Sequence, residues 1–113
     1  IDSKRIIIAG FSQGGAVGYE AALTYPKPLA GLMAHSTYFA TAGDIEVNEA
    51  NAQLPILVQH GTQDPVVPEV LGQKACAALK EKGFTVTYQT YPMPHSLCME
   101  QVQDMQKWLN ERF

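Results

Sequence analysis

Ser12 is set among four glycines in the stretch AGFSQGGAVG, residues 9–18. A hydroxyl with so little side chain around it suits nucleophilic chemistry, and Gly10 to Gly14 spells G-x-S-x-G, the pattern of a nucleophile elbow. The reason is steric. A serine forced into a tight strand-to-helix turn takes a strained backbone conformation. Side chains two residues before and after it would collide, so glycine suits both places. The hydroxyl then projects above a sheet at the N-terminus of a helix. The helix's positive end and free N–H groups favour a negative charge developing nearby. Gly15 and Gly18 are expected to let that helix approach its neighbours closely.

Serine is a poor nucleophile until a base removes its proton. The elbow arrangement orders the chain as serine, then Asp or Glu, then histidine. His95, in YPMPHS, has an acid and the nucleophile upstream and is expected to be the base. His60 precedes Asp64 by only four residues in one loop, out of that order, so a turn-stabilising hydrogen bond is its expected role. His35 has no carboxylate in a suitable loop between it and Ser12, which leaves it a structural or pocket-lining part. Asp64, in HGTQDPVVP, is the expected acid, on a loop that Pro65 and Pro68 stiffen. Asp44, beside Gly43, suits a turn, and Asp104 lies beyond His95. The expected machinery is therefore Ser12, Asp64 and His95, with the backbone N–H of Gln13 as an oxyanion donor. Phe11, Val66 and Val67 flank these residues and could line an acyl pocket, though Phe11 would equally suit a core.

Elements of the right kind surround these residues. Apolar runs at Arg5 to Ala9, Leu29 to Met33, Ile56 to Gln59 and Phe84 to Tyr91 read as strands. Gln13 to Tyr25 reads as a helix with Ala16, Val17, Ala21 and Leu23 apolar, ended by Pro26. Glu69 to Lys82 reads as a second, with Val70, Leu71, Ala75, Ala78 and Leu79 on one side. Ser96 to Phe113 reads as a third, with Leu97, Val102, Met105, Trp108 and Leu109 at helical spacing. Thr37 to Leu54 is polar and irregular, with room for a turn of helix near Val47. Alternation of strand and helix implies an α/β fold: a parallel four-stranded sheet with helices on both faces. Ligands then bind outside the carboxyl ends of the strands, where Ser12, Asp64 and His95 all fall.

Composition narrows the classes. The chain has 113 residues, 46% of them hydrophobic, which is enough for a packed core in one domain or part of one. The formal charge is −3 and the cations are scattered, so no nucleic acid partner is expected. No apolar stretch nears the roughly 20 residues of a membrane span, so no stable membrane insertion is expected. No secretory pattern is visible, and Cys76 and Cys98 fit free thiols, so a cytoplasmic location is expected. With two cysteines and no ligand-spaced histidines, no zinc site is expected.

Taken together, GFSQGG, HGTQDPVVP and YPMPHSLCMEQVQDMQKWL resemble the carboxylesterase and acyl-protein thioesterase family of α/β-hydrolases along the whole chain. The resemblance implies hydrolysis of carboxylic esters, with thioesters or lysophospholipids in some members, and no metal or organic cofactor. It puts the family's catalytic residues on Ser12, Asp64 and His95 and its elbow donor on Gln13. It also makes these residues the C-terminal half of the fold, since the sequence begins just before the nucleophile strand. The half with the second oxyanion donor is expected to lie outside residues 1–113, and this chain alone is expected to be a weak or inactive hydrolase. Residues 5–9 would then form a sheet edge. The expected partners are an ester substrate, small or acylated, and either a second copy, as a homodimer, or the missing half. A non-catalytic half-domain, a dienelactone-type hydrolase and a peptidase are the alternatives.

Overall fold

The computed structural model describes all residues, 1–113. Four strands alternate with three helices: β1 (Ile7–Phe11), α1 (Gln13–Thr24), β2 (Gly31–His35), β3 (Ile56–Gly61), α2 (Glu69–Glu81), β4 (Val86–Tyr91) and α3 (Met99–Asn110). Short 3-10 turns occupy Ser3–Arg5 and Glu49–Asn51. All pairs are parallel and the sheet order is β1-β2-β3-β4, so β1 and β4 are its edges. The chain is thus α/β, as the alternation of patterns implies.

Side chains alternate across the sheet, and the two faces are covered separately. Leu32, Ala34, Ile56 and Val58 pack with Tyr19, Ala22 and Leu23 of α1 and Ala75 and Leu79 of α2. Met33 and Leu57 point the other way, onto Trp108 of α3. Asn51 ties the return path to β2. Its Oδ1 accepts from the Leu29 N–H at 2.9 Å, and its Nδ2 donates to the carbonyls of Tyr25 and Lys27 at 3.0 and 2.9 Å.

Several boundaries differ from the apolar pattern, for one reason. The strands run past their last aliphatic residue: β1 to Phe11, β2 to His35 and β3 to Gly61. Their register continues through these residues, with Phe11 opposite His35 and His35 opposite Gln59. The ends of β2 and β3 carry His35, His60 and Gly61, buried in the sheet but not aliphatic, and β1 runs on through Gly10 to the exposed Phe11, so hydrophobicity marks the strands short. The helices differ too. Val17 and Ala21 of α1 are exposed, and the buried side is Gly15, Gly18, Tyr19, Ala22 and Leu23. In α2, Val70 is exposed and Gly72, Ala75, Cys76 and Leu79 are buried. The last helix begins at Met99 rather than Ser96, with Leu97 and Val102 exposed and Gln101 buried beside Gln59. No helix is long and apolar enough to cross a membrane.

Candidate active site

The turn between β1 and α1 carries Ser12 with φ 57° and ψ −125°. This is the left-handed half of backbone space, unusual for a residue with a Cβ. The Ser12 N–H donates back across the sheet to the His35 carbonyl at 2.9 Å, and the Ser12 carbonyl begins the helix by accepting from Gly15 at 2.9 Å. Ser12 stands at the N-cap position but makes no side-chain cap bond. Its Oγ is turned instead toward His95.

His95 comes from the loop after β4, and Asp64 from the loop after β3. Ser12 Oγ lies 3.0 Å from His95 Nε2, and His95 Nδ1 lies 2.7 Å from Asp64 Oδ2. A carboxylate accepts only, so Nδ1 carries the hydrogen and Nε2 is left to accept from the serine hydroxyl. Residues 83 positions apart in sequence are thereby joined in one proton relay. The Asp64 side chain is fully buried and that of His95 is 16% exposed. The other carboxylate oxygen, Oδ1, accepts from the amides of Val66 and Val67 at 2.9 and 2.8 Å. Burial alone would raise the Asp64 pKa. The hydrogen bonds from His95, Val67 and Val66 and the charge of His95 outweigh it and bring the pKa below its ordinary value.

The sign of that shift fixes an acid response. A carboxylate with a lowered folded pKa contributes stability that is fully present above its unfolded pKa of about 4. The contribution is lost as pH falls through the lower folded value. Asp64→Asn lacks it. Urea midpoints of wild type and Asp64→Asn are therefore expected to converge as pH falls from about 5 into the acid range.

The two loops are stitched to each other. Thr62 N–H donates to the Tyr91 carbonyl at 2.8 Å, and Gln63 N–H to the Met93 carbonyl at 3.1 Å. The approach is possible because Gly61 ends β3. A Cβ there would stand 2.6 Å from the Pro94 carbonyl oxygen and closer still to that of Met93. At the far end of the loop, Asp104 accepts from the Tyr91 hydroxyl at 2.7 Å and fastens α3 to β4.

The other expectations fall as follows. Gly10 is crowded by the backbone of α1, as the elbow requires, but nothing lies within 4 Å of where a Gly14 Cβ would be. The second glycine of the motif is therefore not demanded by space, which corrects the symmetric steric argument. Gln13 begins α1, so its N–H has no acceptor within the helix and stands beside Ser12. Phe11 is 40% exposed, with its ring 4.8 Å from that of His95. Val66 is exposed at 65%, whereas Val67 is buried. His35 is buried at the end of β2. Burial holds its pKa below the ordinary value, opposed by Gln59. Asp44 takes part in a turn through its N–H to the Thr41 carbonyl. An apolar cleft of about 340 Å³ between the loop after β2 and α2, lined by Tyr38, Phe39, Leu71 and Ala75 among others, includes none of the relay residues.

One contributor is not visible in the sequence pattern. The chain turns off β2 at Ser36, φ 49°, and the next residue, Thr37, donates its hydroxyl to the Ser12 carbonyl at 2.5 Å. Thr37 thus pins the elbow from the loop that follows the neighbouring strand. The left-handed turn at Ser36 precedes it, and a lone threonine after a strand gives no such signal.

Known proteins resemble this chain in sequence and in fold. The profile of the Phospholipase/Carboxylesterase family matches residues 1–112. Acyl-protein thioesterase 1 of Neurospora crassa is 42% identical over 117 residues, covering 99% of this chain and 48% of that protein. A probable carboxylesterase, SOBER1-like, of Arabidopsis thaliana is 34% identical, with 99% and 44% covered. The crystal structure of Arabidopsis thaliana SOBER1 superposes with a TM-score of 0.90 at 31% identity, over 99% of this chain and 55% of that one. That of Zea mays acyl-protein thioesterase 2 gives 0.85 at 28% identity, over 96% and 56%. The chain spans about half the length of the curated relatives it matches.

Proposed function

Because this chain belongs to the Phospholipase/Carboxylesterase family, we propose that it acts as a serine hydrolase, cleaving carboxylic esters or thioesters through an acyl-enzyme on Ser12. The observation that carries the reading is the unbroken relay from Ser12 Oγ to His95 Nε2, at 3.0 Å, and from His95 Nδ1 to Asp64 Oδ2, at 2.7 Å. In the first step Ser12 Oγ attacks the acyl carbonyl as His95 takes its proton. The N–H of Gln13 and the positive end of α1 stabilise the oxyanion. His95 then hands the proton to the departing alcohol or thiol. Water, activated by the same imidazole, releases the acid. Asp64 holds His95 in the tautomer that can accept and stabilises its charged form. Phe11 and Val66, apolar and exposed beside the relay, offer a surface for a short to medium acyl chain.

A fluorophosphonate probe tests the reading directly. The expected result is a single adduct on the folded protein, mapped by peptide mass to Ser12, with at most weak turnover of a p-nitrophenyl butyrate or an acyl thioester. Absence of an adduct, or one on another serine, would sink the proposal.

A second reading rests on β1. It pairs with β2 on one side only, and its other side presents unpaired backbone groups next to half-buried Ile7 and Ile8. Association through this strand, with a second copy or with the half of the fold that the relatives carry beyond the matched region, follows, and an antiparallel pairing of two copies is the simplest arrangement. Light scattering on a sizing column is expected to give twice the chain mass at micromolar concentration, and a stable monomer would count against it.

A further inference from the structure

His60 lies outside the proton relay yet is completely buried at the end of β3. Its Nε2 is 2.7 Å from the carbonyl oxygen of Val67. A carbonyl only accepts, so Nε2 carries the hydrogen and donates it. The N–H of the same Val67 donates to Asp64 Oδ1 at 2.8 Å. Val67 is therefore gripped from both sides, its amide by the acid of the relay and its carbonyl by His60. Neither group can rotate without breaking a buried bond.

The imidazole is itself held. On its other flank it meets α2 at Gly72, where a Cβ would stand 2.7 Å from His60 Nδ1. With no side chain in the way, the helix lies against the ring and keeps it from swinging off the loop. His60 Nε2 is also 3.7 Å from Asp64 Oδ2. That is too long for a hydrogen bond, but it places an N–H dipole beside a fully buried carboxylate. Asp64 Oδ2 thus has His95 at bonding distance and His60 in the next layer.

We infer that His60 is a positioning residue for the acid of the relay: it clamps the turn from Asp64 to Val67, and so holds Oδ2 in line with His95 Nδ1. The consequence for turnover rests on the hydrolase reading above, whereas the clamp does not. A leucine would fill most of the same space. It would also leave the Val67 carbonyl buried without a donor and free the turn to shift. A glutamine can bring its Nε2 close to where the imidazole Nε2 stands.

The test is amide hydrogen exchange by NMR on wild type, His60→Leu and His60→Gln, with the low-field proton resonance of His95 Nδ1–H as a second readout. In His60→Leu, exchange at Val66 and Val67 is expected to rise at least tenfold and the low-field resonance to weaken. Leu57 and Val58, in the middle of β3, should keep their protection. In His60→Gln, Val67 protection and the resonance should largely return. Unchanged exchange at Val67 in His60→Leu would overturn the inference. So would an equal rise at Leu57, Val58 and Val67 in both variants, since that is the behaviour of a core filler. Where wild type turns over ester, His60→Leu should lower kcat with KM little changed. A wild type without turnover would count against the hydrolase reading alone, because the exchange comparison does not depend on it.

Discussion

Asparagine in place of Asp64 is expected to lower ester turnover on the order of 10⁴-fold while leaving the fold in place. The direction follows from how the carboxylate is held. Oδ1 accepts from two backbone amides, Val66 and Val67, which only a hydrogen-bond acceptor can satisfy. The single oxygen of asparagine must therefore stay at that position. Its NH2 group then stands where Oδ2 was, facing His95 Nδ1. An NH2 group donates, so the imidazole must present a lone pair at Nδ1 and carry its hydrogen on Nε2. That hydrogen points at Ser12 Oγ, and the base can no longer take the serine proton. The measurement is kcat on an activated ester, paired with the rate of fluorophosphonate labelling at Ser12. Both should fall together, and raising the pH should not restore them, because the defect is one of tautomer rather than of charge. A loss under tenfold would mean that Asp64 does not orient the base.

The second large effect is expected at Gly10. A Cβ there would stand 2.7 Å from the Gly15 Cα and closer still to the Gly14 carbonyl. Both belong to the backbone of the first turn of α1 and cannot move aside as a flexible side chain would. Gly10→Ala must push α1 away from β1 and open the elbow. Overpacking of this kind costs typically 1–3 kcal/mol, and rigid neighbours put this case near the upper end, about 3 kcal/mol. The shift also carries Ser12 Oγ away from His95. A displacement near 1 Å is enough to lower turnover by about 10²-fold. Gly14→Ala is the informative contrast, because its Cβ would meet nothing within 4 Å. In a helix alanine is favoured over glycine by up to about 1 kcal/mol, so this variant should unfold at equal or higher urea. Equal destabilisation by both would show that the crowding at Gly10 is not what shapes the elbow.

The sequence alone was enough to determine the class of fold and the three residues that meet. Alternating apolar runs and helical patterns force parallel strands with crossovers, and loops after parallel strands converge on one edge. Ser12, Asp64 and His95 each follow a strand in the required order, so their meeting was legible before any coordinate. Three things were decided only by the tertiary structure. The strand ends were one, because backbone pairing runs on into polar residues such as His35 and His60 that hydrophobicity cannot mark as strand. The buried faces of the helices were another: α1 packs through Tyr19 and Leu23 but also through Gly15, Gly18 and Ala22, whose small size carries little apolar signal. The supports of the site were the last. Thr37 holds Ser12 from the loop after the neighbouring strand, Gly61 lets the base loop close over the acid loop, and His60 grips Val67 against Gly72. The physical reason is common to all three. Residue type and order along the chain express what a group can do chemically. Whether it is pressed against a particular carbonyl or helix depends on close contacts between segments far apart in sequence, which no local pattern records.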